Sequence, residues 1–434
     1  MDYMKNAGEL METIKKSTCA YTTAENAINT LIDNGFKLLE MSKQWNLVCG
    51  GKYVINVHDS SVIAFTVGQE GNLKAACAHT DHPCLYIKPN GEMFTDGVYG
   101  RLNTELYGGM IFNTWLDRPL SIAGRVAVRT DDIYHPEIRI IDVKRPVLTI
   151  PNVAIHLNRE INKGMALNGQ TDMIPLAMLT DNDREDYNKS GRNFFMEFLG
   201  EYLKVEKDDI LDYELYVYNT DEPAVIGLNE EFISSPRLDN ITSVHALVKG
   251  IINCNNLEGI NVIGIFDNEE IGSRTKQGAD SMTLSMILEK IYISLGYTRE
   301  EYLNYILDGY LMSLDVAHGH HPNHPEKTDP TNKCILGEGI VIKRAASQTY
   351  ATDCMMNAIV EQICIKHNIP YQKYAVRSDG TTGSTLGTIA GKYLPMKSID
   401  IGIPILAMHS ARELMGVKDQ YYLDKLVFGF FASI

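Results

Sequence analysis

The chain has 434 residues, of which 44% are hydrophobic and 22% are charged, close to the averages of globular proteins. This composition excludes a collagen-like, coiled-coil or wholly disordered chain, and the length suits two to four domains or one large domain with a second inserted. The net charge of −15 argues against nucleic acid or an anionic membrane as the main partner. The apolar runs are also much shorter than the ~20 residues that cross a bilayer. We therefore predict no nucleic-acid partner and no membrane association.

The N-terminal segment and the cysteines bear on location. Residues 1–16 contain no apolar core of a secretory signal. The eight cysteines are scattered and form no C-x-x-C pair, a pattern that fits a reducing compartment better than a disulfide framework. We expect a cytoplasmic protein.

In chain order, residues 1–35 predict helix, and residues 53–78 predict strands. Short strand-like runs broken by Gly, Pro, Asp and Asn then indicate a β-rich module at 93–231. From about residue 240 to the end, strand and helix patterns alternate, as in an α/β domain. We predict an α/β fold with a central mixed sheet flanked by helices. Segments 1–92 and 232–434 would form this α/β domain, and the β-rich domain would be inserted between them.

Four predicted strands run into residues that can bind metals. These residues are His79 with Asp81, Glu269 with Glu270, Asp315, and His409. A single carboxylate after a strand is usually a turn residue or a helix cap. Ligand crevices of α/β sheets lie at the carboxyl ends of the strands, however, so four such ends together predict a metal site.

The residue types suit zinc, which takes imidazole and carboxylate ligands. His79 and Asp81 lie two residues apart on an extended segment, so both side chains face the same way. His79 can then bind a metal while Asp81 bonds its other nitrogen. The adjacent Glu269 and Glu270 cannot both point the same way, so one can bind metal while the other acts as a general base.

Two features remain open from the residues alone. The sequence AHGHHPNH, which contains His318 and His321, is either a metal-binding tract or a loop that lines a pocket. We favour the second alternative and assign His318 and His321 to substrate binding. Asp239 precedes a predicted helix, so it is either an N-cap or a metal ligand at the junction between domains.

Several motifs together resemble one family, the M18 or aspartyl aminopeptidases, over nearly the whole chain. The motifs are AHTDHPCLYIKP (78–89), WLDRPLSIAGRV (115–126), IPNVAIHLNREIN (150–162), SPRLDN (235–240), FDNEEIGSRTKQGADS (266–281), SLDVAHGHHPN (313–323), GIVIKRAASQTYATD (339–353) and MHSARE (408–413). The resemblance implies a zinc-exopeptidase fold whose inserted domain mediates dimerisation. It also implies two zinc ions, with cobalt or manganese as alternatives, and a homo-oligomer, a tetrahedral dodecamer whose sites face an inner cavity.

The resemblance also implies roles for individual residues. The ligands would be His79, Glu270, Asp315 and His409, with Asp239 as the bridging carboxylate. Glu269 would be the general base, and Asp81 would orient His79. His156 would reach into the active site of a neighbouring subunit, and Lys343 would lie near the pocket for the substrate's N-terminal side chain. This sequence departs from the family pattern at His82, where serine is common, and at Asn268, where histidine is expected.

The resemblance implies an aminopeptidase that acts on short peptides, with acidic N-terminal residues preferred. One alternative is a broad-specificity dizinc aminopeptidase, and another is a deacylase or carboxypeptidase with the same metals. A third is a non-catalytic assembly protein that retained the fold. For Lys343, the alternative to a pocket residue is a solvated side chain at the end of the strand GIVIK.

Overall fold

The computed structural model of the protein describes residues 2–179, 193–255, 258–381, 383 and 385–432. The strands, in chain order, are β1 (Lys37–Leu39), β2 (Lys52–Val57), β3 (Ser61–Val67), β4 (Leu73–His79), β5 (Cys84–Thr95), β6 (Tyr99–Tyr107), β7 (Leu120–Val128), β8 (Glu137–Asp142), β9 (Leu176–Leu179), β10 (Ile210–Asn219), β11 (Ala224–Ile226), β12 (Phe232–Ser235), β13 (Ile260–Phe266), β14 (Tyr310–Leu314), β15 (Ala317–His318), β16 (Ile340–Arg344), β17 (Tyr371–Ala375), β18 (Lys397–Gly402), β19 (Pro404–Leu406) and β20 (Glu413–Gly416). The α-helices are α1 (Tyr3–Lys16), α2 (Ala20–Asp33), α3 (Phe194–Leu203), α4 (Leu238–Asn253), α5 (Thr283–Ser294), α6 (Arg299–Asp308), α7 (Cys354–His367), α8 (Leu386–Ala390) and α9 (Val417–Ala432). Among the described residues, none of these helices combines the length and the apolar character that crossing a bilayer requires.

A nine-stranded sheet forms the centre of the first compact unit, which comprises residues 1–82, 223–408 and 412–434. Its strand order is β1-β2-β3-β13-β4-β14-β18-β16-β17. Strands β13, β4, β14 and β18 run parallel to one another, whereas β3 and β16 pair antiparallel to their neighbours β13 and β18. The predicted central mixed sheet is therefore confirmed.

Helices cover both faces of this sheet. In β13, Ile263 and Ile265 pack into one core with α4 and α9, whereas Val262 and Phe266 pack into another with α5 and α6. All residues of β13 are buried, as expected for a strand covered on both faces. Helices α4 and α9 approach closely at Gly250, where an added Cβ would lie 2.4 Å from Val427 Cγ1. This packing fixes α4, whose first turn carries Asp239.

A six-stranded antiparallel sheet forms the second unit, residues 83–222 with 409–411. Its strand order is β8-β7-β10-β5-β6-β9. The structure therefore divides at 82/83 and 222/223, whereas the sequence prediction placed the divisions at 92/93 and 231/232. The difference at the first division arises because β5 runs from Cys84 to Thr95 and pairs with β6 on both sides of residue 92. After residue 222, β11 and β12 join β20 in a five-stranded sheet of the first unit.

Candidate metal centre

Three of the four predicted strand ends lie side by side. Strands β13, β4 and β14 are parallel neighbours, so their carboxyl ends lie at the same edge of the sheet. His79 is the last residue of β4, Glu269 and Glu270 follow β13, and Asp315 follows β14. The fourth strand, β19, belongs to the five-stranded sheet instead. His409, which follows β19, groups with the second unit.

His79 is the centre of a buried cluster of acidic groups. Its Nε2 lies 3.4 Å from Asp239 Oδ1, 3.6 Å from Asp315 Oδ1 and 4.0 Å from Glu269 Oε2. Ligand atoms of His79, Asp239 and Glu270 all lie within 4.8 Å of one another. The structure thus brings one imidazole and four carboxylates, contributed by separate parts of the chain, to one place.

Asp239 reaches the cluster through an irregular start to α4. Arg237 occupies the N-cap position, and the backbone of Asp239 is not helical. The backbone N–H of Asp239 donates to Glu413 Oε2 at 3.0 Å, and Asn240 Nδ2 donates to the Leu314 carbonyl at 2.9 Å. Arg237 and not Asp239 thus occupies the cap position, and the ligand role of Asp239 stays a prediction.

Asp81 connects His79 to the segment that carries the two glutamates. His79 Nδ1 donates to the backbone carbonyl of Asp81 at 3.0 Å and lies 3.4 Å from its Oδ1. The Asp81 carboxylate in turn accepts the backbone N–H groups of Glu269 and Glu270, each at 3.1 Å. Since Nδ1 faces a carbonyl, it carries a proton, which leaves Nε2 as the nitrogen that would bind a metal ion. Asn268, just before the glutamates, has a φ of 63°, which asparagine tolerates better than most residues.

The cluster strongly perturbs the titration of its members. Burial disfavours a charged His79, but the surrounding carboxylates, led by Asp239, raise its pKa well above the usual value. Burial, together with the Asp315 carboxylate, raises the pKa of Glu269 to about 8. Burial also acts to raise the pKa of Asp315, but the Lys343 ammonium and His79 together outweigh it and lower that pKa below the usual value.

These residues fit a divalent cation. Without a cation, the carboxylates of Asp239, Glu269 and Asp315 would repel one another at low dielectric, an effect already visible in the raised pKa of Glu269. An imidazole with carboxylates is the donor set of catalytic zinc sites.

The other predicted site residues lie in several places. His409 Nδ1 faces the Gly109 carbonyl at 3.0 Å and therefore donates to it, which leaves Nε2 as the nitrogen that the predicted metal ligation would use. His156 lies in the second unit in an exposed segment. His318 is exposed with its ring 6.0 Å from that of Tyr374.

His321 lies in the loop that follows β15, and its Nδ1 accepts the backbone N–H of Asn323 at 3.2 Å. Lys343 is 2% exposed, so the alternative of a solvated side chain is wrong. Its ammonium lies 3.3 Å from Asp315 Oδ2, although β18 separates β14 from β16 in the sheet.

Sequence reasoning missed two contributors to this region. Glu413 is buried and holds the backbone of Asp239, yet it was quoted only as part of the motif MHSARE. Asn240 connects the same segment to Leu314, immediately before Asp315. An acidic residue within an otherwise apolar strand, as in β20, is the signal that could have singled out Glu413.

The mixed sheet flanked by helices and this cluster of one imidazole with carboxylates are together typical of metal-dependent hydrolases. A family model described as "Aminopeptidase I zinc metalloprotease (M18)" matches residues 13–431. A probable M18 family aminopeptidase 2 from Clostridium acetobutylicum is 43% identical over 430 residues, which cover 97% of this chain and 98% of that protein. A protein of the same description from Clostridium novyi is 42% identical over 423 residues, covering 96% of each.

Solved structures of similar proteins agree with this family match. Ape4, in a cryo-EM structure of the Ape4 and Nbr1 complex, matches with a TM-score of 0.93 and 30% identity, covering 99% of this chain and 86% of that one. The mApe1 dodecamer of S. cerevisiae has the same fold, with a TM-score of 0.84 at 24% identity over 100% of this chain and 98% of that one. The chain belongs to the M18 family of zinc metallo-aminopeptidases, which confirms the predicted family and the prediction of an enzyme.

Proposed function

We propose that the protein removes N-terminal residues from short peptides with Glu269 as its general base. The observation that supports this most strongly is the buried cluster in which His79 Nε2 lies within 4.0 Å of three carboxylates. Two zinc ions would bind there, with cobalt or manganese as alternatives. The proposed ligands are His79, Asp239 as the bridge, Glu270, Asp315 and His409.

The residues of the chain suggest how the reaction proceeds. Bound zinc supplies a Lewis acid that polarises the scissile carbonyl and makes a water molecule more acidic. Glu269, which lies beside these ligands, takes the proton of the attacking water and returns it to the leaving amine. Asp81 holds the backbone N–H groups of Glu269 and Glu270 and so fixes the direction of both. The excess of carboxylates offers a receptor for the free α-ammonium group, which accounts for cleavage at the N-terminus.

We further propose a preference for Asp or Glu at the substrate N-terminus, with Lys343 as the cation that meets the acidic side chain. The net charge of −15 repels acidic peptides at long range, but screening over ~8 Å at physiological salt leaves the local cation decisive. His82 adds no charge near neutral pH, because burial and the nearby Arg237 lower its pKa to about 3. The contact between Lys343 and Asp315 favours the alternative, a broad-specificity aminopeptidase, because part of the lysine's charge is already neutralised.

The preference is tested by kcat/KM for substrates with N-terminal Asp, Glu, Leu or Ala. Acidic substrates are expected to be cleaved fastest, because a buried ammonium pairs best with a carboxylate. Equal or higher values for Leu and Ala would establish the broad-specificity alternative and leave the metal mechanism intact. A deacylase or carboxypeptidase would instead cleave substrates whose α-amine is blocked.

We propose that the protein is a homo-oligomer, a tetrahedral dodecamer, in which His156 completes the site of a neighbouring subunit. The exposed apolar side chains around His156 support an interface between copies: Val153, Ile155 and Leu157 are all exposed, the last by 84%. The second unit, at 83–222, would then be the dimerisation domain. A cytoplasmic location is supported by the eight cysteines, all within the described residues, which form no disulfide.

A further inference from the structure

Lys343 and Asp315 form a buried ion pair at the edge of the metal centre. Lys343 Nζ lies 3.3 Å from Asp315 Oδ2 and donates to the Val316 carbonyl at 3.0 Å. The ammonium also lies 5.3 Å from the centre of the Tyr350 ring. A buried charge needs such partners because its desolvation is costly.

The two oxygens of Asp315 have different partners. Oδ2 faces the Lys343 ammonium, and Oδ1 lies 3.6 Å from His79 Nε2, on the side of the cluster. A carboxylate held through one oxygen presents the other in a defined direction. Metal ligands are commonly oriented in this way by a hydrogen-bonding neighbour.

Neighbouring elements fix the position of Lys343. In the sheet it is paired with Asp400 of the antiparallel strand β18. The buried Asp400 carboxylate accepts the backbone N–H of Ala351 at 2.5 Å and the hydroxyl of Thr385 at 2.6 Å. Since Ala351 follows Tyr350, the ring beside Lys343 is anchored as well. The lysine is therefore preorganised rather than free to follow a substrate.

We propose that Lys343 is a positioning residue of the metal centre, which holds Oδ2 of Asp315 so that Oδ1 is presented to a metal ion. This inference rests on the proposed function, because Asp315 is a ligand only if the cluster binds metal. Two of the three N–H groups of the ammonium are accounted for by Asp315 and Val316. An acidic substrate side chain can therefore engage only the third.

The test measures zinc affinity rather than activity. Purified Lys343→Met and wild-type protein are titrated with zinc in competition with a chromophoric chelator. We expect Lys343→Met to bind zinc about 10- to 100-fold more weakly, the usual effect of losing a residue that orients a ligand. The matched control is Lys373→Met, which removes the same charge from a neighbouring strand where the side chain is exposed and pairs with Glu361. Its affinity should equal that of wild type.

A double-mutant comparison separates positioning from general loss of structure. In an Asp315→Asn background, Lys343→Met should weaken zinc binding no further, because the carboxylate on which it acts is gone. Lys343→Gln keeps a donor for the Val316 carbonyl but carries no charge. It is the second variant in case Lys343→Met does not fold, and it should weaken zinc binding to the same extent.

Two results would overturn the inference: unchanged zinc affinity in Lys343→Met and Lys343→Gln, or an undiminished effect in the Asp315→Asn background. If wild-type protein bound no zinc, the proposed metal centre itself would be refuted.

Discussion

Replacement of Glu269 by Gln tests the role of the general base separately from the role of the metal ligands. Glu269 is largely buried, and burial with nearby carboxylates raises its pKa to about 8 in the absence of a cation. A bound cation acts in the opposite direction and favours the ionised carboxylate that a general base needs. Glutamine has nearly the same shape but cannot take a proton. We expect kcat to fall by about 10²–10⁴, which corresponds to roughly 3–5 kcal/mol in the activation barrier.

The assay is steady-state kinetics together with metal analysis of the same preparations. Glu269→Gln should retain its metal, whereas Glu270→Gln should lose metal as well as activity. Glu12→Gln, which removes a carboxylate that is 65% exposed, is the control for the change in charge and should behave as wild type. Loss of metal in Glu269→Gln, with metal retained in Glu270→Gln, would show that the two roles are exchanged.

Three further predictions concern the bridge, the assembly and pH. Asp239→Asn should abolish activity and reduce the content of both metals, measured by elemental analysis; near wild-type metal and rate would leave Asp239 without a ligand role. His156→Ala should lower turnover without loss of metal, and an isolated monomer that is fully active would contradict this. Burial lowers the pKa of His245, which faces Asp424 and Lys249, so the folded state loses stability as pH falls below the ordinary value of 6.5. His245→Gln should reduce the difference in urea midpoint between about pH 7.5 and about pH 5.5, and an unchanged difference would refute this assignment.

The strand ends of the central sheet could be predicted from sequence because each strand and the site residue that follows it are neighbours in the chain. His79 ends β4 and Asp315 follows β14, so an apolar run with a polar end was sufficient to place each. Their convergence followed from the parallel order of an α/β sheet. The same reasoning failed for the strand before His409, because β19 joins a separate sheet, where it pairs with the sequence-distant β15 as well as with the nearby β20.

Features that depend on tertiary packing could not be predicted from such local sequence patterns. A lysine at the end of a strand is usually solvated, and only the approach of Asp315 makes Lys343 a buried charge. The second compact unit begins before the predicted boundary at 92/93 because β5 crosses residue 92, with an irregularity in its pairing between Ile87 and Glu92.

Zinc-dependent cleavage at a free N-terminus tests the central claim most directly. The protein is stripped of metal with a chelator, supplied again with zinc, and assayed on a short peptide and on its N-acetylated counterpart. We predict no cleavage by the stripped protein, recovery with zinc, and cleavage only of the peptide with the free amine. Full activity without metal, or equal cleavage of the acetylated peptide, would contradict the assignment of the His79 cluster as a metallo-aminopeptidase site.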